Sequence, residues 1–234
     1  MSLWRFVEDG PLSRWQCALL DPWPHGFFTR QAPGREPHPL ASGLGLCGRA
    51  FHLKQVHSDR VFVAPVEPQI EGDALWTTAP GTSTWVTTAD CVPVLLADCA
   101  RKAVAAVHAG WRGTAQQILV RTVEALAAAG SRPADLVCVL GPAISGPVYQ
   151  VSCEVARQVC ATVAEPERAL LPDPDPERVR LDVREVNRQQ ALAAGIPAAQ
   201  VVVSPVCTFA EPAWLNSYRR EGAGRVQFSG IGLG

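Results

Sequence analysis

The chain has 234 residues, 47% of them hydrophobic, and a formal net charge of -1. That length and composition supply a sizeable core and predict one domain over residues 1–234, while the near-neutral balance excludes the basic field that holds a nucleic-acid backbone. No stretch approaches the roughly 18 consecutive apolar residues of a membrane span. The N-terminus lacks a basic start followed by an apolar run, so no secretory signal is read there. The eight cysteines are then expected as free thiols in a reducing cytoplasm. No Cys-x-x-Cys pair points to a zinc ribbon or a thioredoxin-like motif. Lysine occurs only at Lys54 and Lys102; the remaining cations are arginines, whose planar forks suit carboxylate or phosphate.

Residues 1–50 are rich in Pro, Gly and Trp and read as irregular, with the first 20 either a strand pair or an edge element. Short apolar or β-branched runs at 60–64, 74–78, 84–88, 92–97 and 103–107 predict strands. A helix is predicted over 114–129, because Ile118, Leu119, Thr122, Val123 and Leu126 recur at helical spacing and Gly130 stops it. Leu136–Leu140 reads as a short buried strand closed by Gly141 and Pro142, followed by a second strand at 148–151. Ser152 caps a helix that runs to about residue 163, with Val155, Val159 and Val163 on one face. Residues 165–177, with four prolines and five acids, read as a surface loop. Asp182 with Glu185 forms a capping-box-like start to a helix that ends at Gly195. Val201–Val203 and residues 225–231 complete the strands. Cys138, Cys153 and Cys160 read as core residues, and Cys99 as structural. The strand cluster before residue 110 is too dense for a regular βαβ array, so the expected fold class is α/β of the mixed α+β kind, a mixed sheet covered by helices.

Chemistry concentrates in three places. His57 lies in Gln-Val-His-Ser before a strand, Cys91 in Thr-Ala-Asp-Cys, and His108 at the strand end that opens His-Ala-Gly-Trp-Arg-Gly. One thiolate and two imidazoles are a zinc donor set that leaves a fourth position open, and the same residues also suit a metal-free Cys-His nucleophile pair. A third alternative is a purely structural zinc module, against which the missing fourth ligand argues. Asp90 and Asp73 are the candidate proton carriers. Arg112 stands where a helix start would favour an anion, and Arg30, Arg219 and Tyr218 are further candidates for holding substrate or phosphate. The His-x-Glu and Pro-Cys-x-x-Cys pattern of nucleobase deaminases is absent.

The runs His-Gly-Phe-Phe-Thr-Arg (25–30), Gly-Asp-Ala-Leu (72–75), Ala-Asp-Cys-Val-Pro (89–93), His-Ala-Gly-Trp-Arg-Gly (108–113), Gly-Pro-Ala-Ile (141–144) and Ser-Tyr-Arg-Arg-Glu (217–221) follow in order. Over about residues 22–232 the chain resembles the laccase-domain family, also called multicopper polyphenol oxidase and purine nucleoside phosphorylase, which includes peptidoglycan editing factors. The resemblance implies a fold similar to that of cytotoxic necrotizing factors and one zinc per chain on His57, Cys91 and His108. It also implies phosphorolysis of adenosine, inosine, guanosine and methylthioadenosine, with adenosine deamination at the same site. The partners would be a small nucleoside and phosphate, with no nucleic acid or membrane, and the chain is expected to act as a monomer. Some relatives instead edit a cell-wall precursor. A multicopper site needs many more histidines than the five present, so copper is not expected. Gln150 stands where many relatives carry Glu, which predicts one carboxylate fewer near the cleft.

Overall fold

The computed structural model describes residues 3–234 apart from Arg35, Pro68 and Arg101; Met1 and Ser2, the start of the N-terminal run read above, lie outside the described residues. The strands are β1 (Trp4–Val7), β2 (Arg14–Cys17), β3 (His25–Phe28), β4 (Arg49–His52), β5 (Val61–Val63), β6 (Ala74–Thr77), β7 (Thr82–Thr88), β8 (Val92–Asp98), β9 (Val104–Ala109), β10 (Leu136–Leu140), β11 (Gln150–Ser152), β12 (Leu170–Leu171), β13 (Arg178–Leu181), β14 (Val201–Val203) and β15 (Gln227–Gly232). The helices are α1 (His38–Gly43), α2 (Trp111–Ala115), α3 (Ile118–Ala128), α4 (Cys153–Cys160), α5 (Val183–Ala193) and α6 (Tyr218–Glu221).

Two six-stranded sheets carry the molecule. The outer one has the order β1-β2-β3-β15-β7-β4, the central one β14-β10-β8-β9-β6-β5, and a three-stranded sheet β11-β13-β12 lies apart. Among the named strands of the described residues, parallel pairing is confined to sheet edges, where β4 joins β7, β5 joins β6 and β14 joins β10. The central strands read as unbroken apolar runs because both of their faces are covered. On β8, Leu95 and Ala97 pack toward Phe27, Val86 and Ile231 of the outer sheet. Val94 and Leu96 point the other way, against Ile118, Leu119, Val123 and Leu126 of α3 and Val186 of α5. This alternation follows from the two-residue period of a strand. Each such large side chain, wholly withdrawn from water, contributes about 1.5–3 kcal/mol. The mixed α+β class is therefore observed, with a second sheet covering the face opposite the helices.

The first 20 residues form the strand pair β1–β2 at the rim of the outer sheet. Several expectations change. The single helix over 114–129 is two helices, broken at Gln117 with φ +61°. The Thr114 carbonyl, which an unbroken helix would offer to Ile118 N–H, accepts from Gln117 N–H at 3.0 Å and from the Gln190 amide at 2.9 Å, and Asn187 binds the Thr114 hydroxyl at 2.9 Å. Residues 165–177 are not all loop. Ala169 is buried and Leu170–Leu171 pairs with β13, leaving the acidic residues beyond it as the turn. Cys153 is exposed at the start of α4, whereas Cys138 and Cys160 are buried. Both helix caps hold: the Ser152 hydroxyl accepts from Val155 N–H, and Asp182 accepts from the Arg184 and Glu185 N–H groups. Among the described residues no helix is long and apolar enough to cross a membrane.

His25 on β3 is a buried structural histidine. Its Nδ1–H donates to the Trp23 carbonyl at 2.9 Å and its Nε2 accepts from Cys17 N–H at 3.0 Å. A proton on Nε2 would face that N–H, and burial holds the ring's pKa below the ordinary 6.5. The unfolded chain thus takes up this proton first, and acidification through about pH 6.5 favours unfolding. His25→Gln is expected to destabilise most above about pH 7 and progressively less toward about pH 5, in denaturant titrations across pH. A penalty independent of pH contradicts the neutral-ring assignment.

Candidate active site

The starts of β6 and β8 and the end of β9 meet at one end of the central sheet. Register places Ala74 opposite Val107, so Asp73, one residue earlier, falls beside His108. The His108 N–H donates to the Asp73 carbonyl at 2.7 Å, and His108 Nδ1–H donates to Asp73 Oδ1 at 2.8 Å. The same carboxylate, fully buried, accepts from the N–H groups of Val56 (3.3 Å), His57 (3.0 Å) and Ser58 (2.6 Å) and from the Ser58 hydroxyl (2.7 Å). The left-handed turn at His57, φ +60°, lets consecutive N–H groups converge on one anion. Gln55 fastens the same loop to β7, its amide pairing with both the N–H and the carbonyl of Thr87 at 2.7 Å.

Cys91 arrives from another direction. Residues 89–91 carry the chain from β7 in the outer sheet to β8 in the central one. The crossover bends at Asp90, φ +86°. Asp90 Oδ1 accepts from the Thr208 hydroxyl at 2.6 Å, and Oδ2 accepts from the Ser217 hydroxyl at 3.0 Å and Arg219 N–H at 2.7 Å. These bonds tie the C-terminal segment to the crossover.

The result brings His57, Cys91 and His108 together, their ligand atoms all within 4.8 Å of one another; among the described residues they are the one such group. Cys91 Sγ is 4.0 Å from His57 Nε2, and the two imidazoles meet edge to face at 4.8 Å between centroids. Tetrahedral zinc, with bonds of about 2.0 Å to nitrogen and 2.3 Å to sulfur, sets such donors roughly 3.5 Å apart. The donor set therefore fits a borderline-soft cation. Gly110 leaves the approach clear, since a Cβ there would stand 2.9 Å from Cys91 Sγ and 3.0 Å from His57 Cδ2. With Nδ1 of His108 bound to a carboxylate, its Nε2 is the nitrogen that would serve a metal.

Without a metal the groups polarise one another. Burial pushes the Cys91 thiol up, but the charge and hydrogen bonding of His108, helped by His57, outweigh it and bring the thiol down to about 6. Burial pulls His108 down, yet the Cys91 thiolate and the Asp73 carboxylate raise it to about 9. Asp73 is held at about 2, where hydrogen bonds from His108 and Ser58 exceed the opposing effect of burial.

The group opens on a cleft of about 600 Å³. Arg112, Arg219, Arg225 and the chain's two tyrosines, Tyr149 and Tyr218, line it. Arg112 stacks on Trp111 at 4.3 Å, and Arg219 lies 5.0 Å over the Tyr149 ring and donates to the Gln150 carbonyl at 2.9 Å. Burial pushes the Tyr149 phenol up to about 12, so it stands as a neutral O–H donor.

The carboxylate oxygens of Asp73 and Asp90 all accept from donors of the fold, and of the two acids Asp90 lines the cleft while Asp73 lies behind His108. Several sequence expectations are corrected. Arg30 is not in the cleft; it pairs with Glu221 at 2.9 Å and with the Pro212 carbonyl at 2.7 Å. The Gln150 side chain turns to Asp173 at 2.9 Å and does not line the cleft. The helix after His108 is a single short one, Trp111–Ala115, with little macrodipole to offer an anion. Sequence reasoning missed Tyr149, Arg225 and the anchoring roles of Gln55 and Ser58. The last two lie in the same motif as His57, and Tyr149 stands beside Gln150, the position at which the chain departs from many relatives.

The fold and this centre define a mixed α+β protein with a His-Cys-His group that could hold a metal ion at the wall of a cleft. The chain belongs to the multi-copper polyphenol oxidoreductase laccase family, whose model matches residues 35–233. It is 40% identical over 254 residues to a purine nucleoside phosphorylase of Synechocystis sp., covering 97% of this chain and 96% of that protein. An adenosine deaminase, RL5, from an unknown prokaryotic organism is 35% identical over 191 residues, 76% of this chain and 72% of that one. The crystal structure of the hypothetical protein YfiH of Bacillus licheniformis superposes with a TM-score of 0.87 at 28% identity, covering 98% of this chain and 99% of that one.

Metal-free protein is expected to alkylate at Cys91 with a rate that rises through about pH 6. An ordinary thiol responds near about pH 8.5. Iodoacetamide mapping by mass spectrometry, with the exposed Cys47, Cys99 and Cys153 as internal references, measures this. A Cys91 profile that coincides with those references contradicts the thiolate–imidazolium arrangement.

Proposed function

We propose that the protein is a zinc-dependent purine nucleoside phosphorylase that acts on adenosine, inosine, guanosine and methylthioadenosine, with adenosine deamination at the same site. The observation that carries this reading is the placement of the His57–Cys91–His108 group on the wall of a cleft lined by Arg112, Arg219 and Arg225. Phosphorolysis needs an anion and a nucleoside held in one cavity, and the names borne by the relatives favour that pairing.

His57, Cys91 and His108 would hold one zinc per chain. When bound, the ion supplies Lewis acidity, polarising a phosphate or water oxygen near neutral pH. Asp73 keeps the His108 tautomer with Nε2 unprotonated and fixes the loop that carries His57. Arg112, Arg219 and Arg225 balance the phosphate charge, with forks suited to paired oxygens. Tyr149 offers a neutral O–H to the bound nucleoside, and the exposed ring of Tyr218 covers the cleft mouth. Zinc is preferred to the coppers of a multicopper oxidase because the chain has five histidines in all and one cluster of donors among the described residues, which leaves a fourth position open. The reading includes a cytoplasmic setting and a chain that works as a monomer.

One observation favours a second reading. Cys91, His108 and Asp73 also stand in the order nucleophile, base and orienting carboxylate, which suits a metal-free hydrolase editing a peptidoglycan precursor. Incubation of zinc-loaded protein with inosine and phosphate is expected to release hypoxanthine and ribose 1-phosphate. Cys91→Ala should lower that rate by at least about 10³-fold and remove the metal while the fold persists. Turnover that is independent of phosphate and insensitive to chelators contradicts the phosphorylase and favours the hydrolase.

A further inference from the structure

A second cavity, of about 1270 Å³, adjoins the cleft. It runs over β4 and residues 65–67 to the segment before β15, and it shares the wall Thr87, Gly224, Arg225 and Val226 with the cleft. Charge distribution distinguishes it. Among the described residues, the arginines with no carboxylate within ion-pair distance are Arg49, Arg112, Arg178, Arg219 and Arg225. All but Arg178 line one of the two cavities. Elsewhere arginine is routinely paired, so four of the five unpaired arginines among the described residues lie along one continuous depression.

The other cations of the second cavity already have partners: Arg30 with Glu221, Lys54 with Glu71 and His52 with Glu36. Glu36 and Glu67 also line it, both exposed, and the first is held by His52. Arg49 rests on the Phe51 ring at 4.7 Å, which orients a guanidinium without neutralising it. Strand register sets the spacing. Arg49 faces Thr82 on β7, while Gln227, just after Arg225, faces Thr88 on the same strand. Six residues of strand separate them by about 20 Å of backbone, and the reach of two arginine side chains narrows the gap. Arg225 sits in an exposed segment with left-handed glycines at Gly222 and Gly224, φ +77° and +103°, which carries it along the shared wall.

We propose that this second cavity is an anion lobe of the active site, taking the phosphoryl chain of a phosphorylated nucleoside whose base and ribose lie in the cleft. A chain of phosphoryl groups presents successive anionic oxygens to Arg225 and then Arg49, each able to bind two oxygens through its fork. The inference rests on the nucleoside reading of the cleft.

The test is equilibrium binding of adenosine, adenosine 5′-monophosphate and adenosine 5′-triphosphate to the zinc-loaded full chain, by calorimetry in phosphate-free buffer. The triphosphate should bind at least about ten-fold tighter than adenosine. Arg49→Gln should remove most of that gain and Arg49→Lys should keep part of it, with adenosine affinity and phosphorolysis unchanged in both. A triphosphate that binds no tighter than adenosine overturns the proposal. So does a gain that survives Arg49→Gln but is lost in Arg112→Gln, because the anion would then sit in the cleft itself. Failure of the nucleoside reading is read separately, from adenosine that neither binds nor turns over, and the anion lobe falls with it.

Discussion

The Asp73 carboxylate is the constraint on which the site depends. It is wholly buried and accepts from the loop carrying His57 and from the ring of His108. A buried charge is tolerable only when its lone pairs are filled, and each hydrogen bond to such a charge contributes about 1.5–3 kcal/mol. The loop at 56–58 and the end of β9 therefore cannot drift apart without exposing that charge. Two imidazoles far apart in the chain are fixed by one anion that never touches the cleft.

Asp90 performs the parallel task for the sulfur. Its carboxylate gathers Thr208, Ser217 and the Arg219 N–H, which pins the start of α6 and the segment before it to the crossover bearing Cys91. Arg219 and Tyr218 reach the cleft because of this tie. The acids nearest the candidate metal centre thus anchor chain segments, and arginines and tyrosines join Asp90, Gln55, Thr87 and Thr88 in the lining of the cleft. A cleft with that lining favours a ligand that is anionic at one end and flat at the other.

Much of this was legible in the sequence. The central strands declared themselves because burial on both faces leaves unbroken apolar runs, as in Val92–Asp98 and Leu136–Leu140. The helix starts at Ser152 and Asp182 were readable because capping is local chemistry. The donor residues were readable by type and by position at strand ends. What stayed hidden is set by tertiary contact. β3 was lost among Pro-rich residues, since a four-residue strand with His and Gly shows no alternation. At the break before α3, Gln190 of α5 and the Gln117 N–H share the Thr114 carbonyl that helical spacing alone assigns to Ile118. How many donors reach Asp73 and Asp90 shows only in the folded chain. Arg30, placed in a suggestive motif, has Glu221 for a partner, 191 residues away in the chain.

X-ray absorption at the zinc edge on purified, zinc-loaded protein tests the central claim most directly. The account predicts two imidazole nitrogens at about 2.0 Å, one sulfur at about 2.3 Å and one light non-protein atom, at one zinc per chain. A shell without sulfur, or one closed by a fourth protein ligand, would contradict it.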